Sequence, residues 1–173
     1  MPRSFDMSTD YAESVEAVLR AFGEEQYWLA RLADSGADDT MLDSMEIGGP
    51  AGDDGSIDVV TTQVLRADRM PAVVTQFHRG DLRIRREERW EPIVDGSTTA
   101  TITGSILHSP ASLTGTAVLE PRDEGGARLK FRATVEVRIP LVGGKLENFI
   151  GSQLVELLSR EQRFTTTWIG ESA

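Results

Sequence analysis

Residues 128–158 read RLKFRATVEVRIPLVGGKLENFIGSQLVELL and carry two periods in succession. In the first part Leu129, Phe131, Ala133, Val135, Val137 and Ile139 alternate with Lys130, Arg132, Thr134, Glu136 and Arg138. Successive side chains of a strand point to opposite faces, so this stretch predicts a strand with one buried and one wetted face. Pro140 cannot donate to a ladder and stops it, and Gly143 with Gly144 gives a flexible turn. From Lys145 the period becomes helical: Leu146, Phe149, Ile150, Leu154, Leu157, Leu158 and Phe164 share a side. The pattern carries that helix to about Trp168, a length of ~36 Å. An apolar strand face followed at once by an apolar helix face predicts that each covers the other.

Working outward, Asp95 and Gly96 join a strand over 82–94 to a threonine-rich strand over 98–107, because a tight hairpin turn needs the left-handed conformations that Asp and Gly tolerate. Strands over 113–120 and 128–139 are joined by a turn at 121–126. Valines and threonines mark a strand over 57–65, Met41, Met45 and Ile47 mark another, and the Gly- and Asp-rich stretch 48–55 reads as the loop between them. Residues 3–9 alternate as a first strand. Val15, Val18, Leu19 and Phe22 then recur at helical spacing up to Gly23, and a second short helix over 24–33 turns Tyr27, Trp28, Leu29 and Leu32 mostly to one side. Pro71 opens a short helix over 71–79 with Val73, Val74 and Phe77 facing one way. The expected fold is α+β: a curved antiparallel sheet of about seven strands, two short helices after strand one, and a long C-terminal helix as the one segment able to cover the apolar face. No repeat or linker divides residues 1–173, so a single domain is expected.

Composition narrows the function classes. With 28 acidic against 18 basic residues the net charge is −10, the wrong sign for a protein that neutralises phosphates, so nucleic acid is not an expected partner. The arginines between 79 and 89 alternate with glutamates and read first as a solvated strand face. Cysteine is absent, which removes disulfides, thiolate nucleophiles and Cys-ligated zinc. No apolar run approaches membrane-spanning length and no export signal is visible, so a soluble cytoplasmic protein without integral membrane association is expected. His78 and His108 stand far apart, and neither a metal site nor a cofactor is expected. Gly143, Gly144 and Lys145 lack the phosphate-loop pattern, and Ser105 or Ser109 beside His108 is adjacency without triad geometry.

Three stretches carry a family resemblance: Arg69, Met70, Pro71 and Ala72; Glu88, Arg89 and Trp90 ahead of the Asp95 and Gly96 turn; and residues 139–147, IPLVGGKLE. The chain resembles the helix-grip superfamily, also called START-like, SRPBCC or polyketide-cyclase-like, and within it an uncharacterised bacterial domain-of-unknown-function family. The resemblance implies a cavity between sheet and helix that holds a lipid, sterol or aromatic polyketide-like molecule. It leaves the reaction open, because the superfamily includes carriers, cyclases and regulatory modules.

On that footing the expected cavity wall comprises Arg86, Glu88 and Trp90 of the fourth strand, Phe131, Ala133 and Val135 of the last, and Phe149, Leu154, Leu157 and Leu158 of the helix. Taken singly, each of these apolar groups is better explained as packed core, and only the set together points to a pocket. Arg86 and Glu88 share the parity of Leu82, Ile84 and Trp90, which puts two charges on the apolar face. They must pair, reach solvent, sit at a parity-reversing bulge or meet a polar ligand group. Glu88 with Asp43 or Glu161 could serve as an acid/base pair, and Val73, Val74 and Phe77 could form a lid, or equally a fixed helix on the sheet edge. Binding or transport of a small hydrophobic molecule is the leading expectation. A cyclase- or dehydratase-like enzyme and a protein-interaction module are the alternatives.

Overall fold

The structure is a computed structural model describing residues 2–48, 55–76 and 78–172, with backbone alone at Val73 and Ser172. Strand β1 (Arg3–Tyr11) is followed by helices α1 (Val15–Phe22) and α2 (Glu25–Asp34). Then come β2 (Asp39–Ile47), β3 (Ile57–Leu65), a 3-10 turn (Ala67–Arg69), the one-turn helix α3 (Ala72–Thr75), β4 (Leu82–Trp90), β5 (Thr98–Ile106), β6 (Ala111–Pro121), β7 (Ala127–Val137) and α4 (Gly143–Ser172). The seven strands form one curved antiparallel sheet in the order β1-β7-β6-β5-β4-β3-β2, a meander with β1 added beside the last strand.

Local chemistry accounts for most boundaries. Ser14 caps α1 by accepting a hydrogen bond from the Ala17 amide at 3.1 Å. Asp95 and Gly96 both have positive φ, 52° and 82°, as a tight hairpin turn between twisted strands requires. β4 ends at Trp90 rather than running to 94, because Pro92 has no amide to give its neighbour. In β2 the pairing slips between Leu42 and Ser44, so that Leu42 before this bulge and Met45 after it both face the core, while Met41 and Ile47 are exposed. The Gly- and Asp-rich loop expected at 48–55 lies largely outside the described residues.

The last strand alternates as expected: Ala127, Leu129, Ala133, Val135 and Val137 are buried and Lys130 and Arg132 are exposed. Helix α4 packs on β1 and β7 with its N-terminal half and meets α1 and α2 farther along. Gly143 and Gly144, expected as a flexible turn, instead form the first turn of the helix. A Cβ at Gly143 would run into the Val137 carbonyl oxygen, and one at Gly151 into the Phe5 ring, so these glycines are where helix and sheet touch most closely. Glu147, fully buried, fixes the same junction by accepting a hydrogen bond from the Val137 amide at 2.9 Å. An aromatic cluster of Phe22, Tyr27, Trp28, Trp90, Phe164 and Trp168 closes the opposite end, with Phe22 and Trp90 centroids 5.0 Å apart.

Candidate functional site

Between those two ends the middle of α4 stands away from the sheet and leaves a cavity of about 990 Å³, open to solvent. This is the upper part of the range occupied by small-molecule sites. The expected wall residues Arg86, Glu88, Trp90, Phe131 and Val135 line it from the sheet, and Phe149, Leu154, Leu157 and Leu158 line it from α4. Ala133 does not. It is fully buried, paired in register with Phe5 on one side and Gly115 on the other, at the place where Gly151 brings α4 down onto Phe5. The half-buried state of Leu154, Leu157 and Leu158 follows from their facing open space rather than core.

Of the lid residues, Val74 lines the cavity mouth beside Met70, Pro71 and His78. Phe77 and the Val73 side chain lie outside the described residues. Asp43 is exposed on β2, accepts a hydrogen bond from Thr62 at 2.5 Å and takes no part in the cavity. Among the described residues no group of three or more His, Asp or Glu could hold a metal ion.

The inward parity of Arg86 and Glu88 is real, since β4 pairs without a bulge on both sides. Their charges are answered within the protein. Arg86 donates from Nη1 and Nη2 to the two oxygens of Glu161 at 2.9 and 3.1 Å, and its Nε lies 2.9 Å from Glu88 Oε2. Arg31, from α2, approaches Glu161 at 2.6 Å and Glu88 at 3.9 Å. It also donates to the Tyr27 hydroxyl at 3.2 Å and rests 4.7 Å from the centre of the Trp28 ring. The Thr165 hydroxyl donates to the Glu161 carbonyl at 2.8 Å, which leaves it to accept from Tyr27 at 2.6 Å. The Trp90 indole donates to Glu88 at 3.4 Å.

This network fixes the charge states. Burial works to raise the Glu161 carboxyl, but Arg31 and Arg86 outweigh it and hold that group at about 2. Burial opposes the charge on Arg31 and Arg86 as well, and the facing carboxylates more than restore it, so both guanidiniums are held above their ordinary value. Burial also pushes the Tyr11 and Tyr27 phenols up and keeps them protonated.

Glu161 was visible in the sequence only as one acidic candidate among several, and Arg31 and Tyr11 were missed. The signal for Arg31 was there: it follows Tyr27 and Trp28 by four and three positions, inside the apolar stripe of α2.

Residues 6–169 match a family model described as protein of unknown function (DUF2505). The chain belongs to that family. Among this family member's relatives, the uncharacterised protein Rv0481c of Mycobacterium tuberculosis is 56% identical over 170 residues, 98% of each chain. Two solved structures show the same helix-grip fold at low identity. TTHA0849 from Thermus thermophilus is similar with a TM-score of 0.62 and 16% identity over 99% of each chain. Norcoclaurine synthase from Thalictrum flavum is similar with a TM-score of 0.55 and 12% identity over 99% of this chain and 88% of its own. At these identities the likeness carries the fold and not the chemistry. Among the described residues no helix is long and apolar enough to cross a membrane.

Proposed function

We propose that the protein binds a small, largely apolar molecule in the cavity between sheet and α4 and sequesters or carries it. The observation that supports this reading is a cavity of about 990 Å³ whose walls are largely apolar, among them Ile84, Ile102, Leu113, Phe131 and Leu154, with the cluster of Arg31, Arg86, Glu88 and Glu161 as part of its lining. Apolar walls supply affinity by removing ligand surface from water, and a few fixed polar groups orient the bound molecule. The enzyme alternative needs a group that gives and takes a proton near neutral pH. Glu161 is held at about 2 and the facing arginines are held charged, so the cluster is suited to a fixed electrostatic role. The interaction-module alternative suits a filled interior better than an open one.

Titration calorimetry with fatty alcohols, fatty esters, sterols and aromatic polyketides tests the reading. Saturable heat is expected for at least one class, with a change in tryptophan fluorescence because Trp90 lines the cavity. Absence of saturable heat together with a packed interior in a crystal structure overturns it, and the interaction module then takes its place.

A further inference from the structure

The four charges of the Arg31, Arg86, Glu88 and Glu161 cluster that lines the cavity already answer one another. Arg86 engages both oxygens of Glu161, Arg31 shares that carboxylate, and Arg86 Nε stands beside Glu88. Two guanidiniums against two carboxylates leave no net charge. Tyr11 is different. It is 2% exposed, lines the same cavity and lies within electrostatic reach of Arg31, Glu161, Glu88 and Tyr27. Its hydroxyl makes no hydrogen bond to the described residues, and it is not among their fully enclosed unpartnered polar atoms, so it opens onto the cavity. The neighbouring Tyr27 hydroxyl, by contrast, both accepts from Arg31 and donates to Thr165. A hydroxyl that opens onto the cavity is left to water in the free protein, and a ligand oxygen can take the place of that water.

Resting on the cavity-binding reading, we propose that the Tyr11 hydroxyl orients the ligand, and that the ligand's buried end is uncharged, carrying a ketone, ester, ether or hydroxyl oxygen rather than a carboxylate. A carboxylate brought to this cluster would be a third anion beside Glu88 and Glu161, with both guanidiniums already engaged. Pressed against the buried Glu88 and Arg31 side chains, such an ion meets no free counter-charge and loses part of its hydration. A neutral oxygen meets neither penalty and takes the Tyr11 proton.

Matched neutral and anionic probes test this: methyl laurate against laurate, and acetylnaphthalene against naphthoate, each titrated at neutral pH into the wild type and Tyr11→Phe. The neutral member of at least one pair is expected to bind about tenfold or more tightly than its carboxylate. Tyr11→Phe is expected to weaken the neutral probe about three- to tenfold, the worth of one hydrogen bond. The melting temperature of the ligand-free variant should equal or exceed that of the wild type, because no hydrogen bond within the protein is removed. A hydroxyl with a structural role would lower it and overturn the assignment, as would unchanged affinity for the neutral probe. Carboxylates binding as well as or better than their neutral partners overturn the proposal while leaving cavity binding intact, with the head group then at the mouth, where the exposed Arg163 lines the rim. No saturable binding by any of the four counts against cavity binding itself, and the assignment of Tyr11 falls with it.

Discussion

Helix α4 meets the sheet in two ways along its length. Over β1 and β7 it lies directly on the strands: Gly151 sits on Phe5, Gly143 on the Val137 carbonyl, and Glu147 reaches into the strand end. Over β4 to β6 it is held off, with Glu161 docked on Arg86 and Arg31 and a large cavity between that contact and the glycines. The first region is close-packed and gains its stability from contact. The second gives up contact for space, and a charged cluster keeps its far wall in place. One helix can therefore both seal a core and bridge a pocket, provided that its small residues and its ion pairs occupy different turns.

The comparison is broken most severely by removing the bridge. Glu161→Ala leaves Arg31 and Arg86 with one carboxylate between them and is expected to destabilise the fold by about 3–5 kcal/mol in chemical denaturation. Acid should reproduce part of that loss without mutation. The folded-state value of Glu161 lies at about 2, below its ordinary 4.5, so its contribution is complete above 4.5 and disappears as pH falls from 4.5 through 2. On the order of 3 kcal/mol is involved, and Glu161→Gln should flatten that segment of the stability–pH curve. On the close-packed side, Gly151→Ala puts a methyl group into the Phe5 ring and is expected to cost about 1–3 kcal/mol, with Phe5→Leu restoring part of it in a double-mutant cycle. The smallest effect belongs to the cavity wall itself. Leu154→Ala removes a half-buried side chain facing open space and should lower stability by under about 1 kcal/mol while changing probe affinity.

The same contrast separates what was legible in the sequence from what was not. The alternation in β7, the turn at Asp95 and Gly96 and the apolar stripe of α4 are local patterns, and each names its own element. The inward parity of Arg86 and Glu88 was legible for that reason too. Their partners come from α2 and from the C-terminal half of α4, and no local period reports a pairing across that separation. Ala133 misled because parity fixes which face a residue is on, whereas the distance to the facing helix is set by Gly151 and Phe5 on other elements. Gly143 and Gly144 misled in the same way: glycine there answers a neighbour's bulk and not a need for flexibility. Tyr11 ends a strand whose alternation predicts burial and says nothing of whether a hydroxyl finds a partner.

The pairing of β1 with β7 also governs how the chain reaches its fold. Arg3 lies opposite Val135, so the first strand made is matched with the last. During synthesis β1 has no strand to join until β7 has left the ribosome, while β2 to β6 can zip into successive hairpins. Such a long-range closure makes a late and slow folding step, during which an unpaired edge and an uncovered apolar face are exposed together. Helix α4, tied to the end of β7 by Glu147, arrives just behind the strand that completes the sheet, and so protects both at nearly the same moment.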